Sequence, residues 1–571
     1  MKEEYCKFIE ENELSPLNQN KTQLGFSVNS IYKTKDGKAV HNKVLSQISS
    51  KFNFADTSNL WQCLGFTTDI NEIKRRQNFF RTLDFIDTKC FSELKKPRAV
   101  WSPKYEIVAV TEDEETFVKL NELGCGVKFL NSDMDLSDLN NYDIVQVIDC
   151  DAFSRALESL PQSVFIDRIE DIYLERYLEI LSGWKENLLL LDKSLASGEA
   201  KDIISQLLPL FIYLEEKTSR VVKREDVDKI LEEINDKIGK KIKDMTISGG
   251  SLMKMLGEGK LPEEFQKIIN EAIEDSKIPK YIFNIAIPVS VDEKELDALI
   301  KRQSSNEFSD LAEEIKSKAE LLKSIPAKLQ RISNLLIVND FLSGIYEYAK
   351  TATSFPELSK EVYIEHSKNY FLENAQPINF NLTNQSRCSI LTGANSGGKT
   401  TLLEHFIQLI SLFQIGLPIN GNFKCPLFSE IYYFAKNKGA ANKGAFENLL
   451  TQMSEIKPGA QTLILADEIE AVTEPGVAGK IIASTAEYFL NKNCFLVIAT
   501  HLGYEIKEVL PRGARIDGIE AKGLDKEFNL IVDHNPVIGR LANSTPELIV
   551  EKMANIHDKE YFRFLWGKIK G

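Results

Sequence analysis

Residues 388–401 read Cys-Ser-Ile-Leu-Thr-Gly-Ala-Asn-Ser-Gly-Gly-Lys-Thr-Thr. An apolar run breaks into the spacing G-x-x-x-x-G-K-[ST], and Leu402 to Leu412 then resumes as an apolar helical stretch. This pattern predicts a strand, a tight turn and a helix. Glycines let successive backbone N–H groups turn inward around phosphates, and the helix start adds its positive end. On this reading Gly393, Ala394, Asn395, Ser396, Gly397, Gly398, Lys399, Thr400 and Thr401 hold ATP. Lys399 reaches the β- and γ-phosphates, and the Thr400 hydroxyl is a ligand for Mg²⁺.

Two further runs share that logic. Thr462-Leu-Ile-Leu-Ala-Asp467-Glu468 is a buried strand ending in two carboxylates. Asp467 suits Mg²⁺ as a hard oxygen ligand, and Glu468 suits polarisation of an attacking water. Phe495-Leu-Val-Ile-Ala-Thr500-His501 is another buried strand, with His501 at its end as a γ-phosphate sensor. Apolar runs ending at Leu391, Leu465 and Ala499, each followed by polar or glycine residues, describe a parallel sheet with its chemistry at one edge.

The rest of the chain is expected to be α/β plus mainly α. Residues 1–100 read as mostly helical, with an amphipathic helix from Ile70 to Phe85. Residues 101–152 form a small α/β module with strands near Tyr105–Val110, Val127–Leu130 and Asp143–Ile148 and a helix between the first two. Residues 153–375 are helical. Val227, Ile230, Leu231, Ile234, Ile238, Ile242 and Met245 make a heptad-like seam, Tyr281–Ile287 is strand-like, and Asn306–Lys350 is a helical run broken at Pro326. A long helix out, an irregular tip and a long helix back describe an arm, and a plain helical bundle satisfies the same periodicity. Residues 376–571 alternate strands and helices.

Composition excludes several classes. The 571 residues are 43% hydrophobic and 27% charged, as in an ordinary globular protein. With 70 Lys+Arg against 84 Asp+Glu, the net charge of −14 argues against coating nucleic acid by bulk charge, though not against a local basic channel. The eight cysteines form no CxxC pair and read as reduced thiols. With no apolar run of about 18 residues and no signal-like start, the expected location is the cytoplasm, without a membrane.

Gly393-Ala-Asn-Ser-Gly-Gly-Lys-Thr-Thr401 resembles the MutS-family form of this loop, G-P-N-x-G-G-K-[ST], with Asn395 and Gly397-Gly398 as the distinguishing letters. Asp467-Glu-Ile469 and Ala499-Thr-His501 match in order and spacing, and Gln414-Ile-Gly-Leu-Pro-Ile419 resembles the family's turn after the helix. The resemblance is firm over about 376–545 and looser over 40–350. It implies an ABC-like P-loop ATPase domain over 376–571, a helical lever and clamp core over 153–375 with the clamp at about 225–300, and a homodimer that grips DNA. Mismatched, branched or recombination DNA is the expected substrate, and the alternative is a relative acting on ribosomes or structured RNA. Lys237, Lys240, Lys241 and Lys243 are the candidate backbone contacts.

The departures are specific. Ala394 replaces the family's proline. Gly444-Ala445-Phe446 stands where a Ser-Thr-Phe triplet reaches the partner's γ-phosphate, and a non-enzymatic ATP sensor is a further reading on that account. Thr473-Glu474-Pro475 resembles the branch not devoted to mismatch repair. The mismatch-sensing N-terminal domain and the C-terminal nuclease domain are expected to be missing. Phe8-Ile-Glu10 shares the letters of the mismatch wedge but reads as helix surface, and Ile247-Ser-Gly-Gly-Ser251 reads as a turn rather than an ABC signature.

Overall fold

Strands buried on both faces need helices over both, so the order strand–helix–strand dictates parallel sheets, and two form. The structure is a computed structural model that describes residues 1–18, 31–215, 222–244, 261, 263–276, 278–286, 288–393, 398–436, 443–468, 475–524, 530–542, 546–557 and 559–570. The chain divides into two units, Lys95–Arg331 and the pair Met1–Leu94 with Ile332–Gly571. The helical N-terminus and the C-terminal strands therefore share one unit, although more than two hundred residues separate them in sequence.

In the Lys95–Arg331 unit, β1 (Ile107–Thr111), β2 (Gly126–Phe129), β3 (Ile144–Val147) and β4 (Ser163–Phe165) form an all-parallel sheet in the order β2-β1-β3-β4. The module thus runs past residue 152, because β4 is needed to pair with β3. A strand of three residues, with Phe165 37% exposed, carries too little alternation to be read from sequence. Helices follow at Glu175–Ser194, Glu199–Leu207, Arg224–Asp244 and Glu263–Ser276. Of the heptad-like seam, Val227, Ile234 and Ile238 are buried against Ile269, Ile273 and Leu296, with Ile230 and Leu231 packed at the margin. Met245 and the side chain of Ile242 lie outside the described residues, as does the 247–251 turn.

Among the described residues of the strand-like stretch at 281–287, two pair: β5 (Phe283–Asn284) with β6 (Ser290–Val291). Residue 287 lies outside the described residues. The long helical run is three helices, Glu293–Ser317, Ala319–Lys323 and Ile325–Ala349. Pro326 does not break it. It sits in the first turn of the third helix, where a missing N–H costs nothing, and the breaks fall at Lys318 and Ser324.

The other unit begins with helices Lys2–Glu11, Lys35–Ser49 and Ile70–Arg81. The last buries Ile73 and Phe80 and stops four residues short of Phe85, which is 56% exposed. Glu10 Oε1 accepts from Asn334 Nδ2 at 2.6 Å, an intramolecular helix contact. A small sheet combines β7 (Glu357–Leu358), β8 (Val362–Ser367), β9 (Ile378–Leu382) and β11 (Asn422–Cys425) in the order β7-β11-β8-β9. The main sheet has β10 (Cys388–Gly393), β12 (Glu430–Phe434), β13 (Thr462–Asp467), β14 (Phe495–Ala499), β15 (Ala514–Leu524) and β16 (Leu530–Val537). Its order is β12-β13-β14-β10-β15-β16, parallel except for β16. Every residue of β13 and β14 is buried. Helix Lys399–Ile415 is buried almost throughout and stops at Gly416, whose φ of 96° ends it in the left-handed region. All eight cysteines are free. Among the described residues, no helix is long and apolar enough to cross a membrane.

Candidate functional site

β10, β13 and β14 are neighbours and parallel, so their C-terminal ends bring Gly393, Asp467-Glu468 and Thr500-His501 to one edge of the sheet. Gly393 has φ 136°, and a Cβ there would lie 2.5 Å from the Ile519 carbonyl oxygen of β15. Only glycine lets the chain leave the sheet at that point. Residues 394–397, with the expected contacts Ala394, Asn395, Ser396 and Gly397, lie outside the described residues. Gly398, at φ 93°, precedes helix Lys399–Ile415 and aims the first-turn N–H groups back towards the sheet edge.

The Lys399 side chain is 2% exposed. Its ammonium donates to the Gly393 carbonyl at 2.7 Å, stands 3.4 Å from both ring nitrogens of His501 and lies 3.8 Å from Glu468 Oε1. The Thr400 hydroxyl donates to Asp467 Oδ2 at 2.5 Å. Asp467 Oδ1 is buried without a hydrogen-bond partner. Burial raises the Asp467 pKa, with the Thr400 hydrogen bond opposing. An orphaned carboxylate oxygen beside a hydroxyl is the hard-oxygen set that Mg²⁺ takes from a protein when phosphates and water supply the rest. The residues therefore fit the ion.

Glu468 has φ 47°, a left-handed backbone that non-glycine residues adopt at a cost of about 1–3 kcal/mol. It leaves β13 through a hydrogen bond from its N–H to the Ala499 carbonyl at 2.9 Å. Its Oε1 lies 2.6 Å from His501 Nε2, and its Oε2 is ion-paired with Lys436. Burial would raise the Glu468 pKa, but Lys436, His501 and Lys399 together hold it below the usual carboxylate value. A negative carboxylate at this point can accept a proton from water or orient it.

Thr401 enters through its backbone, its carbonyl accepting from Asn369 Nδ2 at 3.0 Å. A cavity of about 250 Å³ opens there, lined by Asn369, Leu372, Gln376, His405 and His534 together with residues 398–402. Its apolar wall beside the helix start suits the flat, partly apolar end of a nucleotide.

Sequence reasoning missed Lys436 and His534. Lys436 follows β12, whose end lies at the same edge as β13, so the strand-end rule would have found it had the run Glu430–Phe434 been recognised as a sheet member. His534 comes from the antiparallel β16, to which that rule does not apply. Gln414 is fully buried and donates to the Phe428 carbonyl at 2.9 Å, a packing role. Gly444-Ala445-Phe446 fall in helix Lys443–Ser454, with side chains outside the described residues, as are residues 469–474 entire. The lysine cluster is in the other unit. Lys237, Lys240 and Lys243 are exposed on helix Arg224–Asp244, Lys237 pairs with Glu233 at 3.0 Å, and the Lys241 side chain lies outside the described residues.

Taken together, these elements define a mixed α/β protein with an anion-ready helix start facing paired carboxylates at a parallel-sheet edge. The chain is 30% identical over 571 residues to the DNA-binding protein MutS2 of Pyrococcus furiosus, a match covering 91% of this chain and 96% of that one. It is 26% identical over 236 residues to the endonuclease MutS2 of Borreliella burgdorferi, covering 37% of this chain and 29% of that protein. It is also 26% identical over 262 residues to the DNA mismatch repair protein MutS of Thermotoga petrophila, covering 44% and 32% respectively. No protein-family model matches the chain. The chain belongs to the MutS family, in its MutS2 branch.

Proposed function

We propose that this protein is an ATP-hydrolysing, DNA-binding clamp that works as a cytoplasmic homodimer and couples nucleotide state to its hold on DNA. The observation carrying the reading is the convergence of Lys399, Thr400–Asp467 and Glu468–His501 at one sheet edge. In this scheme Lys399 and the first-turn N–H groups neutralise the β- and γ-phosphates. Thr400 and Asp467 would hold Mg²⁺, which when bound would supply neutralisation of phosphate charge. Glu468 orients the attacking water, and His501 fixes the Glu468 carboxylate while facing the γ-phosphate. The cavity beside Asn369 and His534 takes the nucleoside. The full-length likeness to a DNA-binding relative supports duplex DNA as the macromolecular partner, with exposed lysines of helix Arg224–Asp244 as backbone contacts.

Two substitutions test the engine. Lys399→Ala removes a charge-assisted phosphate contact and is expected to abolish measurable ATP binding by fluorescence titration. Glu468→Gln keeps the Mg²⁺ ligand and is expected to bind ATP normally while hydrolysing it at least a hundredfold more slowly, an order of magnitude set by general-base catalysis. Wild-type affinity in the first variant or wild-type turnover in the second would sink the assignment. A binding panel of homoduplex, mismatch, four-way junction and ribosomes tests the partner, with the junction or mismatch expected to bind tightest.

A further inference from the structure

The Glu468 carboxylate is held at both oxygens, and the holder of Oε2 comes from an unexpected quarter. Residues 31–36 of the N-terminal segment lie along the free edge of β12. Ile431 N–H donates to the Ile31 carbonyl at 2.8 Å, and Lys33 N–H donates to the Ile431 carbonyl at 2.9 Å, a parallel bridge centred on Tyr32. Side chains then continue the ladder: Tyr433 N–H donates to Thr34 Oγ1 at 3.1 Å, and Ala435 N–H donates to Asp36 Oδ2 at 3.3 Å. The next residue is Lys436, whose ammonium pairs with Glu468 Oε2. Thr34 is itself fixed, since its hydroxyl caps helix Lys35–Ser49 by accepting from Gly37 N–H.

We propose that Lys436 is a positioning residue for the hydrolytic carboxylate and that the N-terminal segment 31–36, a single bridge at Tyr32 running into the first turn of helix Lys35–Ser49, sets its reach. The inference rests on the ATPase reading of the site and adds to it a structural source for the geometry of Glu468. A glutamate at the end of a strand has three side-chain torsions, and one contact through His501 fixes one oxygen while leaving rotation about it. A second contact on Oε2 fixes the carboxylate plane, which decides where a water bound to it can point. The Glu468 side chain is 11% exposed and the Lys436 side chain 45%. The pair is therefore not one of the fully solvated surface pairs that contribute almost nothing. Asp36 does not touch Glu468. It holds the backbone one residue before Lys436 and so acts at one remove.

The test uses the full chain in four forms: wild type, Lys436→Met, Lys436→Arg and Asp36→Ala, with the Asp36→Ala/Lys436→Met double variant as a cycle. Steady-state ATP hydrolysis and equilibrium ATP binding are measured separately, after circular dichroism shows equal helix content. Lys436→Met is expected to lower kcat by roughly tenfold to a hundredfold, the cost of a misplaced catalytic group, with KM and ATP affinity unchanged. Lys436→Arg is expected to recover much of the loss, because the charge and its reach are restored. Asp36→Ala should lower kcat less, and should add nothing on the Lys436→Met background. An unchanged or raised kcat in Lys436→Met overturns the proposal. So does a loss of affinity equal to the loss of rate, or an arginine variant no better than methionine. If wild type hydrolyses no ATP, the reading of the site fails and the inference with it. If wild type is active and Lys436→Met equals it, the inference alone fails.

Discussion

His41 and His405 are histidines that the fold keeps neutral. His41 is buried 3.1 Å from Ser411 Oγ, and His405 sits between Ser367 Oγ at 3.0 Å and Gln408 Oε1 at 3.1 Å. Burial pushes each pKa down to about 4, with the Gln408 contact opposing at His405. An unfolded histidine titrates near 6.5, so between about pH 6.5 and 4 the unfolded chain binds protons that the folded chain refuses. Stability is then full above about pH 6.5 and falls with acidification, by roughly 3 kcal/mol per histidine at the lower limit. Urea unfolding from pH 7 to 4.5 should show this loss, and His41→Gln should remove its share of the slope. An unchanged pH slope in that variant would refute the account. At this scale the candidate site was largely legible. Lys399, Thr400, Asp467, Glu468 and His501 stand in residue strings whose chemistry is local. Lys436 was missed because Glu430–Phe434, a short run with polar and tyrosine residues, was not recognised as the strand whose end carries it.

Among elements, helix Arg224–Asp244 has two unlike faces. Its buried seam of Val227, Ile234 and Ile238 packs inward, while Lys237, Lys240 and Lys243 are exposed. Reversing Lys237, Lys240, Lys241 and Lys243 to glutamate should weaken DNA binding about equally for all sequences. It should also flatten the dependence of log affinity on log salt by about 0.9 for each lost contact. Basal ATPase should persist, because the site lies in the other unit. Circular dichroism must show the helix intact, and a folded variant with unchanged affinity and salt slope would make these lysines a solvated face. Helix Ile325–Ala349 shows the opposite design. From Ile332 to Ile345 it is buried on nearly every side, with Ile332, Leu336, Phe341 and Ile345 in the core, and it carries Asp340 fully buried among them. That carboxylate accepts from Asn53 N–H at 2.9 Å, Phe54 N–H at 3.0 Å and the Thr57 hydroxyl at 2.7 Å. Asp340→Ala strands those donors and is expected to cost about 3 kcal/mol or more, read as a lower urea midpoint, with helix content at neutral pH preserved.

For the whole molecule, the alternation of strands and helices was readable because parallel strands print as continuous apolar runs. Their order across the sheet and the partnership of the two chain ends were not. Tyr32 donates its hydroxyl to the Ile407 carbonyl at 3.0 Å, and Arg76 donates to the Ile415 carbonyl at 3.4 Å. Contacts spanning more than three hundred residues leave no periodicity in either partner. A fragment of residues 332–571 should therefore be poorly soluble when expressed alone, with the edge of β12 and helix Lys399–Ile415 uncovered. Co-expressing residues 1–94 should rescue it. A monodisperse, cooperatively melting 332–571 fragment would show that the N-terminal segment is dispensable to the fold. The same discontinuity sets a schedule on the ribosome. The first 94 residues emerge before Ile407, Ser411 and Ile431, the partners of Tyr32, are translated. At about 5–20 residues per second, the wait for the glycine-rich loop lasts on the order of fifteen seconds to a minute. Throughout that interval Tyr32 is without those partners, and the unit encoded between has time to fold before they arrive.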